Sequence, residues 1–303
     1  MIDSSLVREE EGIRAVKYSF SILVATALCQ IVIVMLSGSV ALFADTVHNI
    51  TDACTSVPLW IAFALARRKP SPRFTYGYGR FEDLAGLLIV FIIIGSALFI
   101  GYHSLQRLFN PAPMTNIPIV ALAAILGFIG NETVARYKLR IGEKIGSAAL
   151  VADGYHARID SMTSLAVLAS TIGASLGWQR TDPLIGLGIV LILVKIIYES
   201  SSLVLARLLD SIDPHIIITI KNAAEVTENV LNASNIRARW SGHSLHAELA
   251  ITLFSAKSLA DAHNVVHEVT ENVKRAVPAL KSLSVHIDPT ATDTHNDCSF
   301  RNE

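Results

Sequence analysis

His48-Asn49-Ile50-Thr51-Asp52 and His156-Ala157-Arg158-Ile159-Asp160 repeat one pattern, a histidine and an aspartate four residues apart. Each copy lies inside an apolar stretch long enough to span a bilayer. Four residues make about one helical turn, so each His and Asp shares a face, with both side chains in reach of one ion. Ionisable groups at membrane depth are costly and by default mark a pathway or a binding site. Two such helices supply two imidazoles and two carboxylates, a donor set that suits a tetrahedral divalent ion and neutralises its charge. The blander alternative, that each pair only bonds to a neighbouring helix, is weakened by the repetition. Asp45 and Asp153, three residues before each histidine, are read either as partners that orient the imidazoles or as water-facing residues.

Composition places these motifs in a membrane. Of the 303 residues 51% are hydrophobic and 17% charged, and the mean hydropathy is +0.47, too apolar for a typical soluble domain. The surplus falls in six segments of spanning length: Val16 to Leu36, Val40 to Leu65, Leu84 to Phe109, Ile117 to Leu139, Ala148 to Leu176 and Leu184 to Leu208. No cleavable signal peptide is expected, because Arg8, Glu9, Glu10 and Glu11 precede a first apolar run that is too long. Arg14 and Lys17 precede span one, Arg67, Arg68, Lys69 and Arg73 follow span two, and Arg136, Lys138, Arg140 and Lys144 follow span four. The opposite loops hold only Arg180, so the positive-inside rule puts both termini in the cytoplasm. Cys29, Cys54 and Cys298 have no CxxC spacing and form neither a disulfide framework nor a zinc knuckle.

After Asp210 the composition becomes that of a small soluble domain. Asp213 and Pro214 read as an N-cap and first-turn proline of a helix reaching about Leu231. Strands are expected near Asn235 to Trp240 and Ser244 to Leu253, a second helix over Ser258 to Val277, and a last strand over Ser282 to Ile287. The predicted fold is therefore an α-helical membrane protein with six transmembrane helices (1–209), then a small α+β ferredoxin-like αββαβ domain (210–289) and a disordered tail (290–303).

Four stretches together resemble the cation diffusion facilitators, exporters of divalent metals in exchange for protons. They are Ala44-Asp45-Thr46-Val47-His48 through Ala53, Tyr76-Gly77-Tyr78-Gly79-Arg80-Phe81-Glu82, Ala152-Asp153-Gly154-Tyr155-His156 through Asp160, and Leu208-Leu209-Asp210. The resemblance implies a homodimer with six spans per protomer, a cytoplasmic ferredoxin-like domain, and a transport site made of His48, Asp52, His156 and Asp160, while the lack of targeting features makes a prokaryotic cell inner membrane, crossed in several passes, the expected location. It implies Zn2+ as cargo, with Co2+, Cd2+, Fe2+ and Mn2+ as alternatives, protons as the counter-ion, membrane lipid as surroundings, and no nucleic-acid partner. It matches Arg80 and Asp210 to a structural ion pair near the cytoplasmic face. In the soluble domain it matches His263, His286 and Asp288 to a cytoplasmic site for a regulatory Zn2+, with Ser234 and Ala250 where other ligands would stand. The histidines that relatives carry before span three are replaced here by Ser71 through Tyr78, so no metal site is expected in that loop.

Two rival functions are a metal-sensing membrane scaffold and an intramembrane metalloenzyme. An enzyme needs an open coordination position and a general base, and the chain has a four-donor set and no HExxH. A scaffold has no use for His48, Asp52, His156 and Asp160. No enzymatic activity is expected. Glu82 and Asp83 are read as lining a cytoplasmic vestibule, and His103 and Glu132 as helix-contact residues.

Overall fold

The computed structural model describes residues 4–37, 56–109, 117–176, 181–255 and 258–288. Asp45, His48, Asp52, Cys54, Cys298, the side chain of His103 and the tail after Asp288 lie outside the described residues. The chain divides into two compact units, Met1–Leu208 and Leu209–Glu303.

The first unit is helical: α1 (Ser4–Ser37), α2 (Ser56–Ala66), α3 (Arg80–Phe109), α4 (Ile117–Ile145), α5 (Ala148–Ser175) and α6 (Thr181–Leu208). Among the described residues, four stretches are long and apolar enough to cross a bilayer: Val7–Ile33, Arg80–Gln106, Ile117–Ile145 and Leu187–Leu208. α5 has 28 residues, a length of about 42 Å, but carries Asp153, Arg158 and Asp160 in its first half. Its ionisable residues turn inward while bulky apolar ones elsewhere turn outward. Leu98, Leu191 and Tyr198 are exposed, whereas Gln30, Glu82, Lys138 and Asp153 are buried. That inversion suits a bundle whose solvent is lipid.

α4 and α5 form an antiparallel hairpin through Gly146, at φ 74°, and Ser147, whose Oγ accepts from the Leu150 amide at 3.1 Å and starts α5. The two helices touch closely because each contributes a glycine. A Cβ on Gly142 would stand 2.9 Å from the Val151 nitrogen, and one on Gly154 3.0 Å from the Leu139 nitrogen. α1 lies antiparallel along α4, with Thr26 against Gly130 and Lys144 paired to Glu11 at 2.6 Å. α4 continues past the expected end near Leu139 to Ile145. Arg136, Lys138, Arg140 and Lys144 are therefore helical rather than loop residues. The stripe Gly127, Asn131, Val134, Lys138, Gly142 recurs every three or four residues and is buried.

The second unit has the expected αββαβ order: α7 (Pro214–Glu225), β1 (Val230–Ser241), β2 (Ser244–Leu253), α8 (Leu259–Ala276) and β3 (Leu280–Asp288). Asp213 caps α7, its Oδ1 accepting from the His215 amide at 2.9 Å. α7 stops six residues short of Leu231, and β1 starts five before Asn235. The cause is Asn229, at φ 70°, whose Oδ1 accepts from the Ser255 amide at 3.1 Å and turns the chain into the sheet. β1 and β2 are antiparallel across a two-residue turn that opens on Gly242 at φ 59°. β3 adds parallel to β2 after the α8 crossover, giving the sheet order β1-β2-β3. Leu245, Leu249, Ile251 and Leu253 pack one sheet face against Ile220, Ala224, Val269 and Val273 of the helices.

Candidate metal centre

α5 brings His156 and Asp160 onto one face, as a four-residue spacing requires, with Nε2 and Oδ2 3.9 Å apart. Their relative exposures are 2% and 8%. Two donors about 2.1 Å from one tetrahedral ion stand about 3.4 Å apart, so an ion shared by this pair requires a closure of only about half an ångström. His48 and Asp52 lie outside the described residues, which place half of the expected four-donor set. Among the described residues no three His, Cys, Asp or Glu side chains come together as a metal cluster.

Asp153 is fully buried, which overturns its water-facing reading. Its Oδ2 lies 2.6 Å from Lys138 Nζ on α4, and that ammonium also donates to Ser56 Oγ on α2 at 3.0 Å. Reading the sequence for loop charge missed Lys138. The signal that identifies it is its place on the small-residue stripe of α4. Glu132, also on α4, makes helix contacts: it accepts from Ser161 Oγ at 3.1 Å and pairs with Arg158 at 3.4 Å and Arg136 at 2.7 Å.

Glu82 and Asp83 do not line a vestibule. They are 1% and 4% exposed, with the Arg207 guanidinium of α6 as a charge neighbour. Arg80 Nη1 lies 3.5 Å from Asp83 Oδ2 and donates to the Arg207 carbonyl at 3.3 Å. These contacts close α3 onto α6. Asp210, the other half of the expected ion pair, belongs to the second unit, where it is exposed at φ 58°.

In the second unit, Ser234, Ala250 and His286 form one row across β1, β2 and β3, and only His286 in that row has a metal-binding side chain. His286 Nε2 lies 3.4 Å from Asp288 Oδ1 two residues on, with side-chain exposures of 79% and 37%. His263 is exposed on α8.

Membrane-length helices with a buried His–Asp pair, joined to a separate αββαβ domain, define a multi-pass membrane transporter of metal cations. The chain belongs to the cation diffusion facilitator family: the cation efflux transmembrane domain matches residues 16–209 and the cation efflux protein cytoplasmic domain matches residues 212–290. It is a divalent metal cation efflux transporter, not an enzyme. It is 46% identical over 288 residues to a probable cation efflux system protein of Mycobacterium tuberculosis (strain ATCC 25618 / H37Rv), covering 95% of this chain and 87% of that one. It is 24% identical to the manganese efflux system protein MneP of Bacillus subtilis (strain 168), covering 84% and 88%. The solved structure of MamM-CTD 215-293 is 24% identical and covers 25% of this chain and 96% of that chain, with a TM-score of 0.24.

Proposed function

We propose that this protein exports Zn2+ from the cytoplasm in exchange for protons, as a six-span homodimer of the inner membrane, through a site made of His48, Asp52, His156 and Asp160. The observation that carries this reading is the burial of His156 and Asp160 side by side in the helical unit. Imidazole binds metal only when neutral, and its reference pKa of about 6.5 lets protons compete for the donors the metal leaves. A site open first to the cytoplasm and then to the far side converts that competition into export. Histidine in both pairs favours zinc over harder ions. Co2+, Cd2+, Fe2+ and Mn2+ are the competing cargoes, and the name of the Bacillus subtilis relative makes Mn2+ the first to compare.

Arg80 and Asp210 are proposed to form the structural ion pair that the family resemblance implies. A regulatory Zn2+ at His263, His286 and Asp288 needs donors from the second copy, because the row that holds His286 has serine and alanine at its other two positions. The test is zinc flux into proteoliposomes under a pH gradient. The wild type is expected to transport, and Asp52→Ala and Asp160→Ala to abolish flux in folded protein. Zinc binding is expected to weaken as the pH falls through the imidazole range, because the protonated ring is no longer a ligand. Flux unchanged in both variants overturns the site, and flux of Mn2+ without Zn2+ overturns only the cargo.

A further inference from the structure

Lys138 and Asp153 are opposite charges exposed by 1% and 0%, inside a unit whose outer surface faces lipid. Burying such a pair costs several kcal/mol per ion, and an apolar pair of equal volume is often as stable or more so. Fold stability therefore does not account for it. Position does. Lys138 reaches from α4 in two directions at once, ion-paired with Asp153 Oδ2 at 2.6 Å and donating to Ser56 Oγ at 3.0 Å. Asp153 stands three residues before His156 on α5, and Ser56 stands four residues after Asp52. One ammonium thus ties α5, which carries His156 and Asp160, to α4 and to the first residue of α2.

We propose that Lys138 is a positioning residue that, through Asp153 and Ser56, fixes how the His156–Asp160 face of α5 is set against α4 and α2, and so fixes the affinity of the transport site and its preference among divalent ions. The proposal rests on the transport-site reading above. An ammonium has three donors, enough for both partners, and its compact head lets α4 approach both neighbours. With the clamp in place, His156 and Asp160 are held ready for a small tetrahedral ion. Without it, the His156–Asp160 pair stays intact on α5 while the seat of α5 against α4 and α2 relaxes. Removing such supporting contacts around a metal site costs about 10- to 100-fold in affinity.

The experiment is Zn2+ and Mn2+ binding to the purified full-length protein by calorimetry, with thermal unfolding measured alongside. Asp160→Ala, Lys138→Met/Asp153→Leu and Ser56→Ala are compared with wild type. The double variant is expected to keep or raise the unfolding temperature yet bind Zn2+ about 10- to 100-fold more weakly, with a smaller gap between Zn2+ and Mn2+. Ser56→Ala, which frees α2 and leaves the ion pair in place, is expected to show a smaller loss in the same direction. Wild-type zinc affinity in the folded double variant overturns the clamp. If the double variant does not fold, Ser56→Ala and Lys138→Arg decide, and wild-type affinity and selectivity in both overturn the proposal. If Asp160→Ala binds zinc as the wild type does, the transport-site reading itself falls, a result distinct from loss of the clamp.

Discussion

Among the described residues two His–Asp pairs lie close, and distance alone ranks them wrongly. His286 and Asp288 are 3.4 Å apart, nearer than His156 and Asp160 at 3.9 Å. The former pair is mostly in water, with His286 79% exposed, and the latter is enclosed, with His156 3% exposed as a side chain. An exposed pair on a strand is worth at most about 1 kcal/mol, so its presence says little about purpose. A buried pair costs free energy that the fold has to offset, so its retention points to a task. Burial, rather than proximity, separates the pair proposed to move metal from the pair that neighbours serine and alanine.

The largest effect that sharpens this contrast is in transport. Asp160→Ala is expected to lower zinc flux at least about 100-fold, whereas His286→Ala keeps it within about threefold, both read in proteoliposomes. The reverse order breaks the comparison and moves the functional metal to the sheet. Next comes helix packing around the buried pair. Gly154→Ala sets a Cβ 2.9 Å from Leu139 Cγ and 3.0 Å from its nitrogen, so about 1–3 kcal/mol of stability is expected to be lost. A lowered unfolding temperature of the purified protein, with weaker zinc binding, is the check; an unchanged temperature shows that α4 and α5 adjust freely.

A smaller and separable effect belongs to the second unit. Asn229→Ala removes the bonds to Ser255 and puts alanine at φ 70°, an expected loss of about 1–2 kcal/mol. Hydrogen exchange is expected to speed up in β1 and β2 while zinc flux stays at the wild-type level. A fall in flux as large as that of Asp160→Ala shows that the sheet is needed for transport itself. The smallest expected change is at Ala250. Ala250→His adds an imidazole to the row that holds His286 and strengthens zinc binding to the second unit without altering flux.

Local spacing made much of this legible. The four-residue period placed His156 over Asp160, the Asp213-Pro214 start of α7 needed only its neighbours, and alternation marked β2. The errors lie where a local pattern competes with a distant partner. The apolar residues from Val226 to Leu231 continue the helical period, yet α7 ends at Glu225 because Asn229 is held by Ser255, 26 residues away. Glu82 and Asp83 look like charges at the mouth of a helix, but α6 brings Arg207 over them and they are buried.

The sequence by itself determined what depends on periodicity and composition: apolar helices, a small α/β domain, and a histidine and aspartate sharing a helical face. Those follow from the rise and turn of a helix and from the cost of polar groups in lipid. Only the tertiary structure decided that Lys138 is a buried tie rather than a loop charge, because its partners Ser56 and Asp153 come from two other helices. A charge's role depends on whether it is solvated or paired, and that is settled by which helices pack together, not by the residues beside it in the chain.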